Sequence, residues 1–206
     1  EESHINYAVR WQQSLGNLEL GLAYFDGTSR LPIIEVQSNE MGELALLPKY
    51  NLLQQFSIDA LYVYDSFLFK LEALSGKSLD QRFNAYVAGF EYTIGDFYET
   101  GFDLGILMEH QYDEREEQDF ITGQNDLMVG ARCELNDFAS SNLLLGIVRD
   151  LDNAASYSVF VEGSTRLNQN WRLALNGYFF SSGVEQDPLY YMRRDDHIAL
   201  KVEYFF

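Results

Sequence analysis

At 206 residues the chain has room for one domain, and its formal net charge is −18. That charge excludes nucleic acid as a partner, because a phosphate backbone needs a basic surface, and it repels substrates rich in phosphate or carboxylate. No run of about 18 apolar residues is present to make a transmembrane helix, and the single Cys133 leaves neither an internal disulfide nor a thiolate metal cluster.

The dominant pattern is alternation with a period of two, the mark of strands with one apolar face. Ile5, Tyr7, Val9 and Trp11 alternate with Asn6, Ala8, Arg10 and Gln12. Leu18, Leu20, Leu22 and Tyr24 then alternate with Glu19, Gly21 and Ala23. Phe56 to Tyr64 sets Ile58, Ala60 and Tyr62 against Ser57 and Asp59, and Phe67 to Ala73 sets Phe69 and Leu71 against Lys70 and Glu72. Ala88 to Ile94 opposes Phe90 and Tyr92 to Gly89 and Glu91, and Phe102 to Met108 opposes Leu104 and Ile106 to Asp103 and Gly105, with Glu109 following. Leu127 to Leu135 places Val129, Ala131 and Cys133 against Gly130, Arg132 and Glu134. Leu143 to Leu151, Tyr157 to Arg166 and Trp171 to Phe180 continue the series, and Ile198, Leu200, Val202, Tyr204 and Phe206 close it against Ala199, Lys201 and Glu203. These segments are mostly near the ~9–11 residues that a tilted strand needs to cross a bilayer, and they amount to about 11–12 strands. The twelfth, Glu43 to Tyr50, is weak because Pro48 lacks a ladder donor. No helical pattern competes.

Alternation also fits a soluble barrel or sandwich, but three features favour an antiparallel transmembrane β-barrel. Aromatic residues gather near the strand ends, with Trp11, Tyr62, Tyr64, Phe67, Tyr92, Phe97, Tyr98, Trp171, Tyr204 and Phe206 at one end. Tyr24, Phe25, Tyr112, Tyr157, Phe179 and Phe180 mark the other, as interfacial girdles do. The face opposite the apolar one carries charges of both signs, which a dry core would not tolerate. Connections at one end are short (Asp65-Ser66, Asn136 to Ser140, Leu167 to Asn170), whereas Thr28 to Lys49, Asp113 to Gln124 and Ser181 to Asp196 are long.

The closing segment His197-Ile-Ala-Leu-Lys-Val-Glu-Tyr-Phe-Phe206 resembles the C-terminal signal of Gram-negative outer-membrane proteins. That resemblance implies recognition of Tyr204 and Phe206 by the barrel-assembly machinery, with outer-membrane lipid and lipopolysaccharide as surroundings. More widely, Phe69 to Ala73, Gly89 to Thr93, Asp103 to Gly105, Tyr112 to Arg115 and Arg193 to Asp196 resemble an uncharacterised group of proteobacterial porin-like barrels. Bacterial barrels usually have an even strand number with both ends in the periplasm, so an odd count suggests that N-terminal strands precede this chain, which is then the C-terminal part of a single larger barrel domain.

On the polar face, Glu19, Asp59, Glu72, Glu91, Asp103, Glu109, Glu134 and Glu203 are candidate pore-lining acids, with Arg132, Arg172 and Lys201 as lining bases. Acidic rings draw cations, while a cross-strand salt-bridge network is the plainer reading of each residue. Glu91 and Glu109 lack a basic neighbour within their own strands and are the expected selectivity residues. The acidic run Asp113 to Asp119 lacks an EF-hand pattern and reads as a solvated loop. The apolar Thr28 to Lys49 loop reads either as a constriction or as a docking element. Of the histidines His4, His110 and His197, only His110 has the rim position of a membrane-embedded lipid-modifying enzyme, and no Ser lies two residues from it.

The leading expectation is therefore a porin-like, cation-tolerant barrel for passive diffusion of small hydrophilic solutes, without catalytic residues, cofactor or metal. A non-conducting structural or docking barrel within a larger envelope assembly is the alternative, and the enzyme is a distant third. On the face assignment, Val129→Arg is expected to be costly and Gly130→Ser mild.

Overall fold

The structure is a computed structural model that describes residues 4–38, 44–78, 81–115, 125–185 and 187–206. Eleven strands form one antiparallel sheet in the order β1-β2-β5-β6-β7-β8-β9-β10-β11-β12-β13, and β3 and β4 form a separate hairpin. The strands are β1 Tyr7–Leu15, β2 Leu18–Thr28, β3 Ile33–Ser38, β4 Leu44–Lys49, β5 Leu52–Tyr64, β6 Phe67–Ser78 and β7 Gln81–Ile94. They continue with β8 Asp103–Asp113, β9 Asn125–Glu134, β10 Asn142–Asp150, β11 Tyr157–Arg166, β12 Trp171–Ser181 and β13 His197–Tyr204. Each sheet strand pairs with its sequence neighbour except across the β3–β4 insertion, so the sheet is a meander.

Turn chemistry explains the short connections. Gly16 at φ 62° and Asp65 at φ 52° open the two-residue links of β1–β2 and β5–β6, where a left-handed first residue matches the twist of the flanking strands. In the β9–β10 turn, Asp137 accepts the backbone N–H of Ser141 at 2.8 Å and its hydroxyl at 2.7 Å. These bonds hold the Asp137 carboxyl below its usual range. A depressed folded value means that this turn's contribution is complete above the ordinary carboxylate range and is lost as pH falls through the lowered value.

The register is strongly slanted. One hydrogen-bonded row runs Tyr64, Phe67, Tyr92, Ile106, Ala131, Leu145, Val161, Gly177, Ile198. It starts at the last residue of β5 and arrives at the second residue of β13, so the row climbs from the short-turn end to the long-loop end. Strands tilt in this way in sheared, barrel-like sheets.

Burial is inverted relative to a water-soluble fold. Among the described residues Phe83 is the only buried hydrophobic side chain, at 8% exposure. The apolar faces lie open: Val9 is 68% exposed, Val129 42% and Leu200 65%. On the polar face, by contrast, Glu91 and Asp113 are buried.

The structure differs from the sequence expectation in three ways. Leu44–Lys49, discounted for Pro48, is strand β4, but it pairs with β3 outside the main sheet. Phe25 and Phe180, expected in the outer aromatic band, stand on the polar face, opposite Gln55 and Ser158 respectively. A short helix α1, Pro188–Met192, follows β12, with the Asp187 side chain accepting the Leu189 N–H at 2.7 Å. The fully buried Ser156 donates to Ser182 at 2.8 Å, and Ser182 donates to Asp187 at 3.2 Å, pinning the β10–β11 loop to the segment before α1.

The described sheet is not closed: β1 and β13 are its two edges. Because eleven strands alternate in direction, these edges run the same way.

The glycine spacing corrects one expectation. A Cβ at Gly130 would lie 2.9 Å from the Leu145 carbonyl oxygen, a backbone atom that cannot swing aside. Gly130→Ser is therefore not mild: it should cost about 1–3 kcal/mol in denaturant unfolding. Gly95→Ser, whose Cβ meets nothing closer than 3.7 Å, should stay within about 0.5 kcal/mol.

Candidate functional site: the charged face of the sheet

Alternation places the candidate acids and bases together on one face because directly paired residues share a side. The pairings Gly21–Asp59, Asp59–Glu72, Glu72–Val87, Val87–Gln111, Gln111–Asp126 and Asp126–Asp150 string four acids along one slanted row. Glu19 and Glu109 lie one row lower, opposite Leu61 and Met128. Asp103, Arg132, Glu134, Arg172, Lys201 and Glu203 occupy the same face towards the short-turn end.

Ion pairs on this face reach across an intervening strand. Arg10 on β1 bonds Asp59 on β5 at 2.8 Å, passing over Gly21 of β2. Arg132 on β9 bonds Glu91 on β7, passing over Gly105 of β8. Bare glycine between the partners leaves the space that these side chains cross. At the far edge Glu203 accepts from Lys201 at 2.6 Å and from Arg172 at 3.3 Å, and Arg172 also donates to Ser164 at 3.0 Å.

These contacts sort the candidates. Glu91, expected as a free selectivity residue, is a buried partner of Arg132, and Glu134 lies 3.4 Å from the same guanidinium. Its partner sits two strands away, which intrastrand neighbours could not reveal. Asp103 accepts the Asp96 N–H at 2.9 Å and serves the β7–β8 turn. Glu19, Glu72 and Glu109 have no hydrogen bond or ion pair recorded among the described residues.

The structure adds acids that the sequence reading missed. Asp113, assigned to a solvated loop, ends β8 on the polar face and takes the Arg115 Nε–H at 2.9 Å. Arg115 also lies 4.7 Å above the ring of Phe83, which itself packs on Gly76. The remainder of that acidic run, beyond Arg115, lies outside the described residues. Asp126 and Asp150 continue the alternation of β9 and β10, and extending each pattern by one step would have found them.

No protein-family model matches the chain, and no curated protein is similar to it. The residues themselves therefore carry the functional argument. Among the described residues no group of His, Cys, Asp and Glu is arranged to hold a metal ion. His110 stands on the apolar face, where the Tyr86 hydroxyl bonds Nδ1 at 3.1 Å and Nε2 bonds the Asn125 side-chain oxygen at 3.0 Å. His197 donates from Nδ1 to the Asp195 carbonyl at 2.8 Å.

The two strand-skipping pairs should respond differently to loss of the base. Arg132→Ala leaves the buried Glu91 carboxylate unpaired and should cost about 3 kcal/mol in denaturant unfolding. Arg10→Ala breaks a pair whose side chains are 52% and 37% exposed and should cost under about 1 kcal/mol.

Proposed function

We propose that this chain forms wall of a Gram-negative outer-membrane β-barrel whose charged interior passes small hydrophilic solutes and favours cations. The observation that carries the reading is the inverted burial: a continuous apolar face left open, with Phe83 as the sole buried hydrophobic side chain among the described residues. No water-soluble fold leaves so large an apolar surface uncovered, whereas a bilayer supplies its solvent. The slanted register and the strand-skipping ion pairs on the opposite face support curvature towards the charged side. Neighbouring rings at Phe67, Phe69 and Tyr92 and at Trp171 and Tyr204 fit an interfacial girdle near the short-turn end.

Antiparallel closure requires an odd number of further strands between β13 and β1, since the two edges run the same way. Such strands would come from outside the described sheet, in keeping with the chain's resemblance to porin-like barrels. The exposed Val36, Leu44 and Leu46 of the β3–β4 hairpin favour the second reading, a docking barrel in which that hairpin meets another envelope component.

Cation preference follows from unpaired acids on a face whose bases are largely engaged. Full-length protein in planar bilayers should give cation-selective reversal potentials in a salt gradient. Glu19→Gln with Glu109→Gln should lower the cation-to-anion permeability ratio, and the bias should fade in high salt as the Debye length falls to about 3 Å at 1 M. Absence of conductance from folded full-length protein would favour the docking barrel. Recovery as a soluble monomer from the periplasm would remove the membrane reading altogether.

A further inference from the structure

Ser156 is fully buried, a polar side chain enclosed in a molecule whose only buried hydrophobic among the described residues is Phe83. It ends the β10–β11 loop, and Ser182 follows β12. Each lies two residues beyond a polar-face position, Ser158 and Phe180, which pair across β11 and β12. Their hydroxyls therefore meet on the charged side of the sheet, at 2.8 Å. The hydrogen bonds here run one way. Asn153 donates to Ser156 at 2.7 Å, Ser156 donates to Ser182, and Ser182 donates to one carboxylate oxygen of Asp187 at 3.2 Å. Each hydroxyl has a single proton to give, so the relay must end on a group that only accepts, as an ionised carboxylate does. Asn153 reaches the same Asp187 oxygen at 3.4 Å.

The other Asp187 oxygen takes the Leu189 N–H at 2.7 Å and starts α1. From there the chain runs to Asp196, which accepts the Phe180 N–H at 2.8 Å. Residues 187–196 thus form a strap tied at both ends, to the β10–β11 loop by Asp187 and to β12 by Asp196. A helix of five residues does not hold itself, and Tyr191 and Met192 on it are exposed. The strap therefore relies on its ties. One force works against them. Asp187 stands close enough to Asp126, on the polar face of β9, for the two charges to repel. That proximity also sets the start of the strap above the charged face.

We infer that this strap is a lid over the loop end of the charged face, latched by the relay from Asn153 through Ser156 and Ser182 to Asp187 and opposed by repulsion between Asp187 and Asp126. Closed and open positions then differ by a few charge-assisted hydrogen bonds on one side and one like-charge contact on the other. The inference rests on the proposed reading that the charged face lines a wet interior. There the closed strap narrows the mouth.

Hydrogen–deuterium exchange of the strap amides, read by mass spectrometry on full-length protein in detergent micelles, reports the latch without any need for current. Ser156→Ala lies outside the strap and cuts the relay, so it should speed exchange across residues 187–196 about fivefold, as loss of one hydrogen bond implies. Ser182→Ala should do the same from the other side of the relay. Asp126→Asn removes the opposing charge and should slow exchange. Glu99→Gln, in the exposed β7–β8 turn, should leave it unchanged. Variants are compared at equal strand content by circular dichroism. Unchanged exchange in both serine variants, or faster exchange in Asp126→Asn, would overturn the latch. Proteoliposome swelling tests the cover: Asp187→Ala should raise the rate for a trisaccharide relative to a monosaccharide. An unchanged ratio in conducting protein would overturn the lid. Swelling by neither protein, with exchange as expected, would retain the latch and sink the channel.

Discussion

Backbone hydrogen bonds between adjacent antiparallel strands take the place of a core in this molecule. Phe83 is the only hydrophobic side chain buried among the described residues, so burial of apolar surface within the chain contributes little. The ladder must then be continuous, above all where hydrocarbon offers an unpaired N–H or C=O no alternative. The three prolines obey this constraint. Pro32, Pro48 and Pro188 all lie outside the eleven-stranded sheet, so none removes a rung from it.

Once the ladder sets the register, it decides what the charged face can do. Pairing places Gly21 beside Asp59 and Gly105 opposite Arg132, and the space above each glycine admits a long side chain from a more distant strand. The same ion pairs that tie alternate strands together also silence Glu91 and Asp59 as free charges. What remains unneutralised, Glu72 and Glu109 in particular, is set by register rather than by composition. Glycine thus acts here through the absence of a side chain, not through an unusual backbone angle.

Much of the architecture was legible because period-two alternation is a local property. All eleven sheet strands can be read from their own residues, and β13 even from its four alternating apolar positions. Partners across strands were not legible: the Arg132 contact of Glu91 depends on where three strands stop relative to one another. Asp113 was hidden by its neighbours, since a strand end merging into an acidic run resembles a loop throughout. Phe25 and Phe180 were a different case. Their parity, opposite to that of Tyr24 and Phe179, puts them on the polar side, whereas position near the strand end alone suggests the aromatic band. Helix α1 has a readable start in Asp187-Pro188, but at five residues it is too short to show a helical period beside the strand patterns.

The slanted row through Asp59, Glu72, Asp126 and Asp150 gives the charged face a geometry unlike a ring. Because hydrogen-bonded neighbours climb as they pass from strand to strand, these acids form a spiral ramp. It begins near the middle of β5 and rises to the loop ends of β9 and β10. A cation following this surface would move sideways as it moves upward, passing from Glu72 on β6 across Val87 and Gln111 to the adjoining pair Asp126 and Asp150. Its electrostatic profile would be a series of shallow steps spread over depth, with no single narrow girdle of charge. Removing one acid from such a ramp lowers one step and leaves the others standing.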